Sequence, residues 1–290
     1  IISDWISPCK AIRQLREELR MGKCSKFWPY LQSFIETLPQ LPDAWSLDDL
    51  ALLDGLPVPE GGWRVHTQRY ATDCMEDSSD ALAMRALLLY HTRSGPLGMT
   101  PVFDAMNHGY NSTWHGHDLD EDGKETFWFR VITDVEPGGE IFRELASGVA
   151  YRPRIAAGMH FDEFAGAPEI FRNYGFVEKP PVMWWFDGLL TGERHAWIAQ
   201  NEAGSPVWFT ETEHGPGTNQ PGLIMDGDEL LKSLEEREQA IVETMGLRMP
   251  DITASKQHRL AWEYREAFKS ALRRAMEVAN ESTESIRDEL

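Results

Sequence analysis

No apolar run reaches the ~18 residues that a helical membrane span needs, so nothing in this 290-residue chain reads as one. The opening stretch, IISDWISPCKAIRQLREEL, lacks the basic-then-apolar layout of a signal peptide. It reads as a helix entered mid-protein, which suggests that a natural beginning is missing. Cysteine is scarce: Cys9, Cys24 and Cys74 are far apart, and none has the CxxC spacing of a zinc knuckle. The odd count argues against a disulfide framework and for a reducing compartment. Positive charge is also short, with 28 Lys and Arg against 47 Asp and Glu, a net charge of -19. An acidic surface repels phosphate backbones, which excludes nucleic acid as a partner. It suits cationic partners such as lysine-rich protein segments, and equally it suits plain solubility. The G-x-S-x-G elbow, the G-x-G-x-x-G turn and the phosphate loop are all missing, which removes the common hydrolase and nucleotide-binding signatures.

What is present is bulk for a core. Hydrophobic residues make up 42% of the chain, with 11 Trp and 13 Phe, too many for a disordered chain. The first hundred residues read as helices. Ile12, Leu15 and Leu19 recur at three- and four-residue steps. SKFWPYLQSFIETLP continues as a helix broken near Pro29 and stopped by Pro39. In LPDAWSLDDLALLDG, Ser46 is an N-cap with Asp49 three residues on, and Gly55 ends the segment. SSDALAMRALLLYHTRS is a further helix with Ser78, Ser79 and Asp80 as cap candidates.

The texture then changes. TFWFRVITDV is strand-like, HDLDEDGK before it is a hairpin-type turn, and EPGGEIF reads as turn then strand. GAPEIFRNYGFVEKPP gives a short helical segment followed by an aromatic stretch, and VMWWFDGLL and AWIAQNEAGSPVWFTE suggest more strands. From Gly227 the chain turns helical again, and Leu260, Tyr264, Phe268 and Leu272 recur every four residues in its last helix. Helices, short strands and then helices, without alternation, predict an α+β fold rather than a doubly wound one.

One stretch raises a chemical question. PVFDAMNHGYNSTWH sets Asp104, Asn107 and His108 within five residues at the end of an apolar segment. Buried polar groups need partners. A turn with a satisfied polar pair explains the dipeptide alone, and so does a ligand site. The nearby DLDEDG, residues 118–123, mimics the start of a calcium loop, but its twelfth position is Phe129, which cannot ligate, so it reads as a turn. His115 and His117, with His108 or Asp104, have metal-like spacing that surface histidines explain as well.

Taken in order, SKFWPYLQSF with LPDAWSLDDLALL, then ALLLYHTRS, PVFDAMNHG, FWFRVITDVEPGGEIF and APEIFRNYGFVEKPP form a series over about residues 23–180. The series resembles the SET-domain protein methyltransferases, in the branch similar to the Rubisco large-subunit lysine methyltransferase. The order carries the likeness, and each fragment alone is weak. The resemblance implies a SET-like α+β domain over residues 1–180, with a helical insertion at about 10–95. Residues 181–290 would then form a C-terminal region that could bind the substrate protein. It implies S-adenosylmethionine as cofactor, held by Asn107 and His108, with Asp104 shaping the pocket and Arg93 before it. Tyr174 falls at the methyl-transfer point, with Phe161 and Phe176 as aromatic walls for the substrate side chain.

The implied reaction suits these residue types. A lysine amine has an intrinsic pKa of about 10.4 and must lose its proton before it accepts a methyl group. An apolar aromatic channel disfavours the ammonium form and fixes the approach, and a tyrosine hydroxyl can orient the amine. This chain departs from the family pattern in three ways. Phe161 or Asp162 stands in the place of a family tyrosine, Ala167 stands in the place of an asparagine, and no Gly-x-Gly turn occurs near residue 1. The expected activity is therefore lysine methylation of a protein, with two rivals: a SET-like binding module with reduced catalysis, and a histidine methyltransferase. The expected location is the cytoplasm or a plastid, and the terminal Arg287-Asp-Glu-Leu290 also admits the ER lumen.

Overall fold

The spacing of Ile12, Leu15 and Leu19 becomes one buried face of helix α1, Pro8–Met21. It does so in a computed structural model that describes residues 7–35, 41–59, 61–77, 79–95, 98–107, 113–119, 123, 125–143, 166–180, 182–186, 196–200, 206–212, 215–216, 227–245 and 255–288. In chain order α1 is followed by α2 Trp28–Ile35, α3 Leu47–Leu50, α4 Val65–Asp73 and α5 Ala81–Arg93. The strands β1 Ser94–Gly95, β2 Gly98–Met99, β3 Thr113–Leu119 and β4 Glu125–Val131 come next. Helix α6 Ala167–Tyr174 precedes β5 Val182–Phe186, β6 Ala196–Gln200, β7 Pro206–Thr212 and β8 Gly215–Pro216. Helices α7 Gly227–Met245 and α8 Lys256–Asp288 close the order. The chain is thus an α+β protein with its helices and strands segregated along the sequence. No helix among the described residues is long and apolar enough to cross a membrane.

The chain divides into two compact units, Ile1–Pro39 with Arg64–Leu145, and Gln40–Trp63 with Ala146–Leu290. The division differs from the boundary expected at residue 180. The reason lies in α6, whose Ala167 and Phe171 are buried in one apolar cluster with Tyr264 and Phe268 of α8.

In the first unit α1 packs against α5, and Leu15, Leu31, Phe34, Leu87 and Met99 contribute to the buried cluster. Asp80 caps α5, its carboxylate accepting from the N–H groups of Leu82 at 2.8 Å and Ala83 at 3.1 Å. The predicted break at Pro29 does not occur. Pro29 is the second residue of α2, in the first turn, where its missing N–H would have no helical partner in any case. A second correction concerns the cysteines. Cys9 and Cys74 form a disulfide across 65 residues, and Cys24 is left as an exposed thiol. The cysteine count therefore carries no argument for a reducing compartment. Beside this bond Arg13 pairs with Glu76 at 2.6 Å and Arg16 pairs with Asp80.

Strands β3 and β4 form an antiparallel hairpin in register from Thr113↔Val131 to Leu119↔Glu125. The Trp128 indole lies over Gly116, where an added Cβ would come within 2.7 Å of the ring. Its Nε1 donates to Asp118 at 2.8 Å. Phe127 meets Phe103 edge-on at 4.8 Å between ring centroids, which ties the hairpin to the turn that follows β2.

The second unit holds an antiparallel sheet in the order β5-β6-β7-β8. Helices α7 and α8 pack on each other. Ser46 caps α3 as expected, its hydroxyl accepting from the Asp49 N–H at 3.1 Å. Leu260, Tyr264, Phe268 and Leu272 form the buried face of α8, and the Tyr264 hydroxyl donates to the Pro57 carbonyl at 2.9 Å. That face is filled within its own unit, so it is not where α8 could grip a substrate protein.

Candidate functional site

Residues 101–106, which read from the sequence as part of an apolar segment, form a tight turn instead. Asp104 N–H donates to Thr100 O at 3.0 Å and Ala105 N–H to Val102 O at 3.2 Å. Val102 holds φ at +76°, a left-handed conformation that a β-branched residue rarely adopts. Such a residue persists only where its surroundings over-determine it, and strained positions cluster at functional sites.

Val102 is itself exposed, but the two residues that follow it are buried. Asp104 has no exposed surface. Its Oδ2 accepts the Tyr30 hydroxyl from α2. Its backbone carbonyl accepts Arg93 Nη1, from the end of α5, at 2.7 Å. Arg93 lies over the Phe34 ring, with its guanidinium carbon 4.8 Å from the centroid, and Arg143 lies over Phe103 at 4.9 Å. The Arg143 N–H donates to the Asn107 carbonyl at 2.9 Å. The Asn107 side-chain amide, which is exposed, donates to Glu140. Asp104 Oδ1 is buried with no hydrogen-bond partner among the described residues. Such an orphan acceptor is uncommon and calls for an explanation.

Burial pushes the Asp104 carboxyl up to about 6, against the opposing pull of the Tyr30 hydrogen bond and of Arg143 and Arg93. The same burial, with Asp104 alongside, raises the Tyr30 hydroxyl far above its ordinary value. A raised carboxyl means that the folded state holds the proton more tightly than the unfolded chain does. Its contribution to stability is full below about pH 4 and is lost as pH rises through about 6, on the order of 3 kcal/mol. Urea unfolding of the wild type and Asp104→Asn across this range should therefore diverge by that amount, the wild type losing relative stability as pH rises. Parallel pH profiles would contradict it.

No family model, curated protein or solved structure matches the chain.

Of the residues singled out in the sequence, the first unit brings Arg93, Asp104 and Asn107 together. His108 and Phe161 lie outside the described residues. Tyr174 and Phe176 belong to the second unit. Tyr174 ends α6, is half-buried, and sits 6.3 Å from Phe176 between ring centroids. Gly175 follows in the left-handed region at φ +72°, closing the helix with its N–H on Phe171 O. Ala167 is the first residue of α6 and is buried in the core of the unit. Sequence reasoning missed Tyr30, Glu140 and Arg143 as members of the cluster. Tyr30 and Glu140 were inside quoted fragments, and nothing local marks their reach to residues 104 and 107. Among the described residues no group of three or more His, Cys, Asp or Glu could hold a metal ion.

Proposed function

We propose that the chain is a SET-like methyltransferase that uses S-adenosylmethionine to methylate a lysine side chain of a protein. The observation that supports this most is the meeting of four fragments of the resembling series in one cluster. Tyr30 comes from SKFWPYLQSF, Arg93 from the helix ending in Thr-Arg, Asp104 and Asn107 from PVFDAMN, and Glu140 from the Gly-Gly-Glu-Ile turn. Four stretches that span more than a hundred residues have no local reason to converge on one turn.

The cluster suits the cofactor. S-adenosylmethionine supplies a methyl group on a cationic sulfur, and it also carries an ammonium and amine donors. The exposed Asn107 amide, oriented by Glu140, fits a ligand rich in donors and acceptors, and the buried Asp104 carboxylate supports the turn that presents it. Arg93 and Arg143, each over a phenyl ring, hold the Asp104 charge without removing it. The resemblance assigns Tyr174 the orienting of the incoming amine through its hydroxyl, and the Phe176 ring lies beside it within the second unit.

The test is a mass-spectrometric map of methyl groups after the full chain is incubated with S-adenosylmethionine and a cell extract. New methyl-lysine that disappears with Tyr174→Phe is the expected result. Methyl groups on histidine would move the activity to the histidine rival. No methylation, with cofactor still bound, would favour a binding module that has lost catalysis.

A further inference from the structure

The 101–107 turn carries a strained backbone at Val102 and an exposed amide at Asn107, so something must hold it. Its own hydrogen bonds are short-range, from Asp104, Ala105 and Met106 to residues three or four positions back. Glu140 accepts the Asn107 side-chain amide, and three further outside groups reach the turn. Arg93 takes the Asp104 carbonyl at 2.7 Å, and the Arg143 N–H takes the Asn107 carbonyl at 2.9 Å. The third, the Tyr30 hydroxyl, reaches the Asp104 side chain, from 74 residues away in sequence. The Tyr30 ring is fixed in turn by an edge-on contact with Phe34 at 5.0 Å, one turn further along α2.

We propose that Tyr30 is a positioning residue, whose hydroxyl fixes the Asp104 carboxylate and through it the turn that presents Asn107. The argument is geometric. A carboxylate with no solvent contact and one orphan oxygen has few ways to be held, and a phenol donor to the other oxygen orients both. A hydrogen bond to a charged acceptor is among the stronger ones, so losing it leaves the turn to relax at its strained residue. The titratable and charged groups that act on Asp104 are Tyr30 from α2, Arg93 from α5 and Arg143 beside Asn107. The Tyr30 bond lowers the Asp104 carboxyl from where burial alone would put it, so removing the hydroxyl should move its titration above about 6. Any effect on cofactor affinity rests on the methyl-donor reading above, whereas the effect on the turn does not.

The experiment compares the full wild-type chain with Tyr30→Phe, and with Tyr70→Phe as control. The Tyr70 hydroxyl is likewise buried but has no hydrogen-bond partner among the described residues. Amide hydrogen exchange is read in the unliganded protein at Asp104, Ala105, Met106 and Arg143. Tyr30→Phe should speed exchange there by roughly ten- to hundredfold, and Tyr70→Phe should not. The Asp104 titration, followed by carboxyl carbon resonance, should move upward in Tyr30→Phe alone. Calorimetry adds a third arm: Tyr30→Phe should weaken S-adenosylmethionine binding, and the loss should vanish in an Asp104→Asn background. Unchanged exchange and an unchanged Asp104 titration in a folded Tyr30→Phe protein would overturn the proposal. If the wild type binds no S-adenosylmethionine while exchange still accelerates, the positioning role stands and the methyl-donor reading falls.

Discussion

Reducing the Cys9–Cys74 bond lowers the stability of the first unit by about 4 kcal/mol, the loop-closure entropy of a crosslink over this span. For a unit of this size that is a fall of roughly 10–20 °C in melting temperature. The bond joins α1 to the residue after α4, and Cys74 is itself part of the buried cluster that α1 shares with α5. The neighbouring ion pairs Arg13–Glu76 and Arg16–Asp80 do not replace it. They are partly exposed, and such pairs contribute little. Scanning calorimetry with and without a dithiol reductant reads the effect directly. Cys9→Ala should reproduce the loss without reductant, and Cys24→Ser should leave the transition where it is. Coincident melting of the oxidised and reduced protein would contradict the account.

Phe171→Ala should cost the second unit about 3–5 kcal/mol, the range for deleting a fully buried phenyl ring. The ring has no exposed surface. It stacks on Tyr264 at 4.5 Å and meets Trp45 and Trp63 edge-on at 5.9 Å and 6.0 Å. Each such pair adds to what area burial alone provides. The hole would open beneath the hydrogen bond from Tyr264 to Pro57, which joins α8 to the segment before Trp63. Phe171→Leu keeps most of the volume and should cost less than half as much. The check is urea unfolding monitored in the second unit. A loss below about 1 kcal/mol for the alanine variant would mean that the cluster collapses onto the gap.

Much of the fold was legible because helices announce themselves locally. Ile12, Leu15 and Leu19 in α1, and Leu260, Tyr264, Phe268 and Leu272 in α8, fall on buried faces as their spacing predicts. Ser46 and Asp80 cap the helices they precede. Strands β4 to β7 overlap the aromatic and β-branched runs that suggested them. What escaped was long-range. Nothing near Cys9 or Cys74 states that they meet, because only the packing of α1 against the α4–α5 region brings them within a bond length. Pro29 was read as a break, since a proline interrupts a helix interior and its position in the first turn is visible only once the start of α2 is known. The resemblance named Arg93, Asp104 and Asn107 as cofactor residues, and the closeness of Asp104 and Asn107 was visible from their spacing. Their link to Tyr30 was not, because it depends on how α2 lies against the turn and not on any spacing in the chain.

The central claim is that a methyl donor binds at Asn107, and titration calorimetry of the full chain with S-adenosylmethionine tests it most directly. The account predicts saturable binding by the wild type, weakened roughly ten- to hundredfold in a folded Asn107→Ala variant that loses the side-chain contacts. No heat of binding to the wild type, or equal affinity in the two proteins, would contradict it.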